Sequence, residues 1–184
     1  MKFLNKIIFE TSVQATIKKV EARMRAQANG SHPDLHSAVE NLLDAGGKRI
    51  RPTLTVLTGN MLNADQDRLI TLAAAIEMLH TATLVHDDLI DGSLMRRGNS
   101  TLNARWTPAA TVLTGDFVFA RAAKLAAETK SLFLMDIFAE TLAIIVNGEL
   151  TQMFESRGLA NRKNYYERIY AKTGSLFELS TRGA

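Results

Sequence analysis

Along nearly the whole of this 184-residue chain, apolar residues recur three and four positions apart. That spacing puts them on one face of a helix with 3.6 residues per turn, whereas a half-buried strand needs strict alternation. Phe3, Leu4, Ile7 and Ile8 open a first helix that continues through Val13, Ile17, Val20 and Met24. Asn29-Gly30-Ser31-His32-Pro33 breaks it, and Pro33 starts a second helix with Leu35, Val39, Leu42 and Leu43 on one face. That helix stops at Gly46-Gly47, residues 52–61 read as a third, and a long fourth begins near Asp65. Thr107-Pro108 reads as the N-cap and first-turn proline of a helix reaching about Thr129. Ser131 caps another running to about Arg157, and Asn161 a last one reaching past Thr173. No strand is expected. Short connections predict an all-α, antiparallel helical bundle.

Composition narrows the function classes. With 46% hydrophobic residues the chain can pack a single core. It has no cysteine, which leaves neither a disulfide framework nor a thiolate metal site. A net charge of +3, spread along the chain rather than gathered in a tail, argues little for nucleic acid. No apolar run approaches the about 20 residues of a transmembrane span. The first ten residues, with Lys2 and Lys6 and with Asn5 among the apolar positions, read as an amphipathic helix rather than a signal peptide. A cytoplasmic protein is expected.

The chemistry concentrates at the end of the fourth helix. His86-Asp87-Asp88-Leu89-Ile90-Asp91 packs three carboxylates into five residues. Asp87 and Asp91, four apart, share a face, and Asp88 flanks them. Like charges this close repel, and a helix C-terminus adds partial negative charge of its own. A hard divalent cation, Mg²⁺, would relieve both and would bridge to phosphate oxygens; simple solvation of an exposed helix end is the competing explanation. Gly46-Gly47-Lys48-Arg49-Ile50-Arg51-Pro52 sets three cations on a corner between two helices, suited to a diphosphate that carries no metal; a solvated interhelix turn is the competing explanation. Arg96 and Arg97 follow the acids in a loop between Gly92 and Gly98, where they could grip phosphate or pair with the aspartates. His80, two turns before Asp87, lies on the stripe that leads to the acids.

Together these segments resemble the trans-isoprenyl diphosphate synthases, or polyprenyl synthetases. The resemblance rests on Gly46–Pro52, on Glu77-Met-Leu-His-Thr-Ala-Thr-Leu-Val-His-Asp-Asp-Leu-Ile-Asp91 and on Met95-Arg-Arg-Gly98. Thr114-Gly-Asp-Phe117, Gly148-Glu-Leu-Thr-Gln152 and Lys172-Thr173 follow in the family's order. It runs from about residue 40 to Ala184 and implies an isoprenoid-synthase bundle that condenses isopentenyl diphosphate with an allylic diphosphate. In that likeness Asp87 and Asp91 are Mg²⁺ ligands, with Asp88 in support. Lys172, Thr173 and Arg96 hold the allylic diphosphate. Lys48, Arg51, His80 and Arg97 hold isopentenyl diphosphate. Ala82 and Thr83, small where short-chain members carry an aromatic, imply a medium- or long-chain product, unless the floor is set elsewhere by Phe117 or Phe119. Gln152 is either a cavity residue or a solvated one. The resemblance also implies a homodimer.

The family's second aspartate-rich motif has no counterpart here: Asp65 and Asp67 lie too early, and Asp116 and Asp136 are isolated. Residues 1–184 are therefore expected to be the N-terminal part of one polyprenyl synthetase domain, inactive alone. Two other readings keep some of these features. A class I terpene cyclase shares the acidic motif but would leave Lys48, Arg51 and His80 idle, and a non-catalytic partner subunit usually lacks the acids. A basic nucleic-acid-binding protein would find the acidic cluster in the way of phosphates.

Overall fold

The computed structural model describes residues 2–155 and 162–184, with the side chains of residues 2–11 and 155 left aside. Helix α1 (Lys2–Arg25) runs through a short 3₁₀ turn (Ala26–Ala28) and is followed by α2 (Pro33–Asp44), α3 (Ile50–Met61) and α4 (Gln66–Ile90). After a two-stranded hairpin, β1 (Met95–Arg96) and β2 (Asn99–Ser100), come α5 (Pro108–Glu128), α6 (Leu132–Glu155) and α7 (Arg162–Ile169). A π-type turn at Tyr170–Gly174 leads into α8 (Ser175–Arg182). The expected cap at Asn161 and the first-helix side chains Phe3, Leu4, Ile7 and Ile8 lie outside the described residues.

Local chemistry sets the helix ends. The Asp65 carboxylate accepts from the Arg68 N–H at 2.9 Å and starts α4, and Thr107 accepts from Ala110 to start α5 ahead of Pro108. Ser131 caps α6 through Leu134. At the end of α2, Gly46 takes φ +73°, the left-handed turn that glycine adopts at little steric cost. Helix α3 starts two residues earlier than the Pro52 signal suggested, because Arg49, at φ 47°, supplies the turn into it.

Helix α4 is the central element, packed by α1, α3, α5 and α8. Its middle is apolar on every side, as an all-round buried helix must be. Ala73, Ala74, Ala75, Ile76, Met78 and Leu79 are fully enclosed. Val20 and Met24 of α1, Val56 of α3, Leu125 of α5, Phe138 of α6 and Leu176 and Leu179 of α8 complete the core. Each fully buried Leu or Ile side chain contributes about 1.5–3 kcal/mol of burial energy. α4 is also long and apolar enough to cross a membrane, which corrects the expectation that nothing in the chain is. With 72% of its apolar window buried inside the protein, the packing of the core accounts for that composition.

The loop after α4 holds the second correction. It contains an antiparallel pair, Met95 opposite Ser100 and Arg96 opposite Asn99, where no strand was expected. Arg97 at φ 51° and Gly98 at φ 83° form its two-residue turn, whose positive dihedrals match the strand twist. Two-residue strands are too short to leave an alternating pattern.

Candidate functional site

A cavity of about 560 Å³ opens between the residue 46–51 corner, the C-terminal half of α4 and the hairpin. Lys48, Arg51, His80, Asp88, Arg96 and Arg97 all border it. Along α4 the lining face runs Glu77, His80, Thr81, Leu84, Val85 and Asp88, at steps of one to three residues. Six cationic side chains face three carboxylates around this space, so an anionic guest is favoured.

Arg97 and Arg51 are held in place before any guest arrives. Arg97 Nη1 donates to the Gly46 carbonyl at 2.6 Å, tying the hairpin to the corner 51 residues earlier. The Arg51 guanidinium stacks on Phe177 of α8, 5.0 Å from the ring centroid. Its Nε is buried and has no hydrogen-bond partner. A buried donor without an acceptor costs free energy that an incoming phosphate oxygen would recover. Burial lowers the Arg51 pKa from its ordinary value, Glu77 opposes the shift and Arg97 adds to it. His80 is held down to about 3, first by burial and then by Arg51, Arg97, Arg96 and Arg49, so it is a neutral imidazole at pH 7. Arg49 and Arg97 both hold left-handed backbone at the cavity edge, strain of about 1–3 kcal/mol each that clusters where function is built.

The three aspartates divide between environments rather than facing one space. Asp88 is buried and accepts from Arg96 Nε at 2.8 and 3.0 Å, forming a wall of the basic cavity. The His80 stripe therefore reaches Asp88, the aspartate expected to play only a supporting role. Asp87 lies outside that lining, half-buried, with the Lys172 ammonium at 3.4 Å. Lys172 also donates to Glu149 of α6 at 2.8 Å. Asp91 is exposed and caps α4 with its backbone N–H. Thr173 is exposed beside Lys172 in the π-type turn, and Gln152 is exposed on α6.

Gly148 makes the Lys172 contact possible. A Cβ there would sit 2.4 Å from Ala171 Cβ, so only glycine lets the π-type turn come this close to α6. Burial raises the Asp87 pKa from its ordinary value; Lys172 opposes this, while Glu149 and Asp91 add to it. Burial alone would lower Lys172, but its bond to Glu149 and the Asp87 charge outweigh that and hold its ammonium above the usual value. Among the described residues no group of three or more His, Asp or Glu side chains converges as a self-contained metal site. Asp87 and Asp91 nevertheless offer hard oxygens where carboxylates repel, which fits an ion taking one or two protein carboxylates and its other ligands from water and phosphate.

Ala82 is fully enclosed in the core, and Thr83 bonds back to the His80 carbonyl at 2.8 Å. Neither borders the basic cavity.

The pattern of the family described as polyprenyl synthetase matches residues 32–184. The chain belongs to the polyprenyl synthetase family. It is similar to the octaprenyl diphosphate synthase of Haemophilus influenzae, 38% identical over 169 residues, covering 91% of this chain and 51% of that protein. It also matches the all-trans-nonaprenyl-diphosphate synthase (geranyl-diphosphate specific) of Rhodobacter capsulatus, 40% identical over 155 residues, covering 80% of this chain and 46% of that one. Among solved structures, the polyprenyl synthase of Caulobacter crescentus, complexed with calcium and isoprenyl diphosphate, superposes with a TM-score of 0.88 at 38% identity. That match covers 93% of this chain and 52% of the other. The chain thus spans about half the length of the curated relatives it matches. The all-α isoprenoid-synthase bundle expected of a polyprenyl synthetase is the fold observed.

Four residues of the site escaped the motif reading. Glu77 stands three residues before His80, a spacing that could have exposed it. Arg49 and Glu149 both lie inside motifs whose resemblance gives them no role. Phe177, four residues after Thr173, has no sequence signal separating a cavity aromatic from a core one.

Proposed function

We propose that the whole protein transfers prenyl groups, condensing isopentenyl diphosphate with an allylic diphosphate into a medium- or long-chain all-trans polyprenyl diphosphate. The observation that carries this reading is a preformed cationic cavity with an orphaned buried Arg51 donor, set beside an acidic cluster of Asp87, Asp91 and Glu149 that Lys172 only partly neutralises. Two adjoining sites of opposite sign suit two diphosphates, one bound without metal and one bound through it.

Arg51, Arg97 and Lys48 hold the diphosphate of isopentenyl diphosphate, and neutral His80 donates or accepts as its tautomer requires. Arg96, already bonded to Asp88, stands between the two sites and can turn a free N–H toward either diphosphate. Lys172 and Thr173 contact the allylic diphosphate beside Asp87. Leu84 and Val85 give the cavity apolar wall that keeps water from a reactive carbon centre. Asp87 and Asp91 would hold Mg²⁺, which when bound draws off the charge that gathers on departing diphosphate oxygens.

A terpene cyclase binds one diphosphate and would leave the basic cavity unused. A non-catalytic subunit would have no need of the Asp87–Lys172–Glu149 arrangement. A cytoplasmic homodimer that binds no nucleic acid follows from the same reading.

Incubating the whole protein with isopentenyl diphosphate, farnesyl diphosphate and Mg²⁺ tests the activity. Elongated all-trans products are expected; no consumption of isopentenyl diphosphate with any allylic primer contradicts it. Product length is assigned to the small residues Ala82 and Thr83, in keeping with relatives named for octaprenyl and nonaprenyl products. Ala82→Phe is then expected to shorten the products. Unchanged chain lengths from a folded variant would place the floor on another helix.

A further inference from the structure

We propose that Glu21 of α1, which does not border the cavity, is a positioning residue for its metal-free diphosphate site, acting through Arg49. This rests on the reading of that cavity as a diphosphate site.

Arg49 stands between Lys48 and Arg51, and all three line the cavity from the corner. All three nitrogens of its side chain donate into the protein, each to a different element. Nε reaches Glu21 Oε1 of α1 at 2.8 Å, Nη1 reaches Glu77 Oε1 of α4 at 3.1 Å, and Nη2 reaches the Leu43 carbonyl of α2 at 3.0 Å. The Arg49 side chain is 12% exposed and its backbone is left-handed, a conformation that persists only when its surroundings over-determine it. Glu21 supplies the one anchor from α1. Without it the guanidinium loses a charged acceptor, the turn is held by two contacts, and Lys48 and Arg51 lose their fixed direction.

Simple electrostatics gives the opposite sign. Removing a carboxylate near a cationic cavity should strengthen anion binding. A residue that only stabilises the bundle should lower the melting temperature and leave affinity alone. The three roles therefore separate in one experiment.

Pyrophosphate is titrated calorimetrically into the whole protein in EDTA, for the wild type and for Glu21→Gln, Glu21→Asp, Arg49→Lys and the Glu21→Gln, Arg49→Lys pair. The Glu21 side chain is 38% exposed, so its substitution leaves the core intact. Positioning predicts that Glu21→Gln weakens binding by about tenfold, the effect of one hydrogen bond to a charged group. Glu21→Asp recovers part of the loss, and Glu21→Gln adds nothing in an Arg49→Lys background, where the fork is already gone. Unchanged or tighter binding by Glu21→Gln overturns the proposal. Failure of the wild type to bind pyrophosphate overturns instead the diphosphate reading on which it rests.

Discussion

His80 shows how far one side chain's surroundings can redirect its chemistry. From spacing it is a polar residue on the acid stripe; in the fold it is a neutral imidazole ringed by guanidinium groups and held to a pKa of about 3. An unfolded histidine takes up a proton near pH 6.5, whereas the native one refuses it until far lower pH. Stability linked to His80 is thus complete above about pH 6.5 and is lost as pH falls toward the native value. His80→Gln should flatten the decline of melting temperature between about pH 7 and pH 5, and an unchanged slope would contradict the burial argument. A diphosphate in the cavity reverses the local field, so binding in mildly acidic buffer should draw in a proton. Calorimetry in two buffers of different ionisation enthalpy reads that uptake directly, and equal heats in both would contradict it.

Among the elements, most helix starts marked by a cap or a proline were legible; α3 is an exception, beginning at Ile50 ahead of Pro52. Pro33, Asp65, Thr107 and Ser131 each start a helix as expected. The hairpin at 95–100 and the π-type turn at 170–174 were not legible. Both are set by tertiary contacts: Arg97 tied to Gly46, and Ala171 pressed on Gly148. The site followed the same division. Its residues were named in large part, but which aspartate faces which cation depends on how α6 and the hairpin meet α4, and that is settled by packing. Gly148 is the sharpest point of that packing. Gly148→Ala gains helix propensity of about 0.5–1 kcal/mol, yet overpacking against Ala171 costs about 1–3 kcal/mol. Net destabilisation and a displaced Lys172 are expected, with recovery in the Gly148→Ala, Ala171→Gly pair. Thermal unfolding of the two variants decides, and a Gly148→Ala variant more stable than the wild type would mean the close approach is not required.

Over the whole molecule, α4 works as both core and site. Its middle, from Leu69 to Ile76, is buried on all sides, and the turns beyond carry His80, Asp87, Asp88 and Asp91 to the open end. The corner ahead of α3 and the hairpin behind α4 close on one side of that end, and α6 with the π-type turn closes on the other. This leaves a cationic side and an anionic side separated by the Asp88–Arg96 pair. The cationic side takes its diphosphate without metal, and titrating isopentenyl diphosphate into the whole protein with EDTA present tests this. Binding should persist in EDTA, survive Asp87→Asn, and fall at least tenfold in Arg51→Met, where charge-assisted bonds worth about 1.5–3 kcal/mol are removed. Binding that requires Mg²⁺ and disappears with Asp87→Asn while Arg51→Met leaves it untouched would contradict the account.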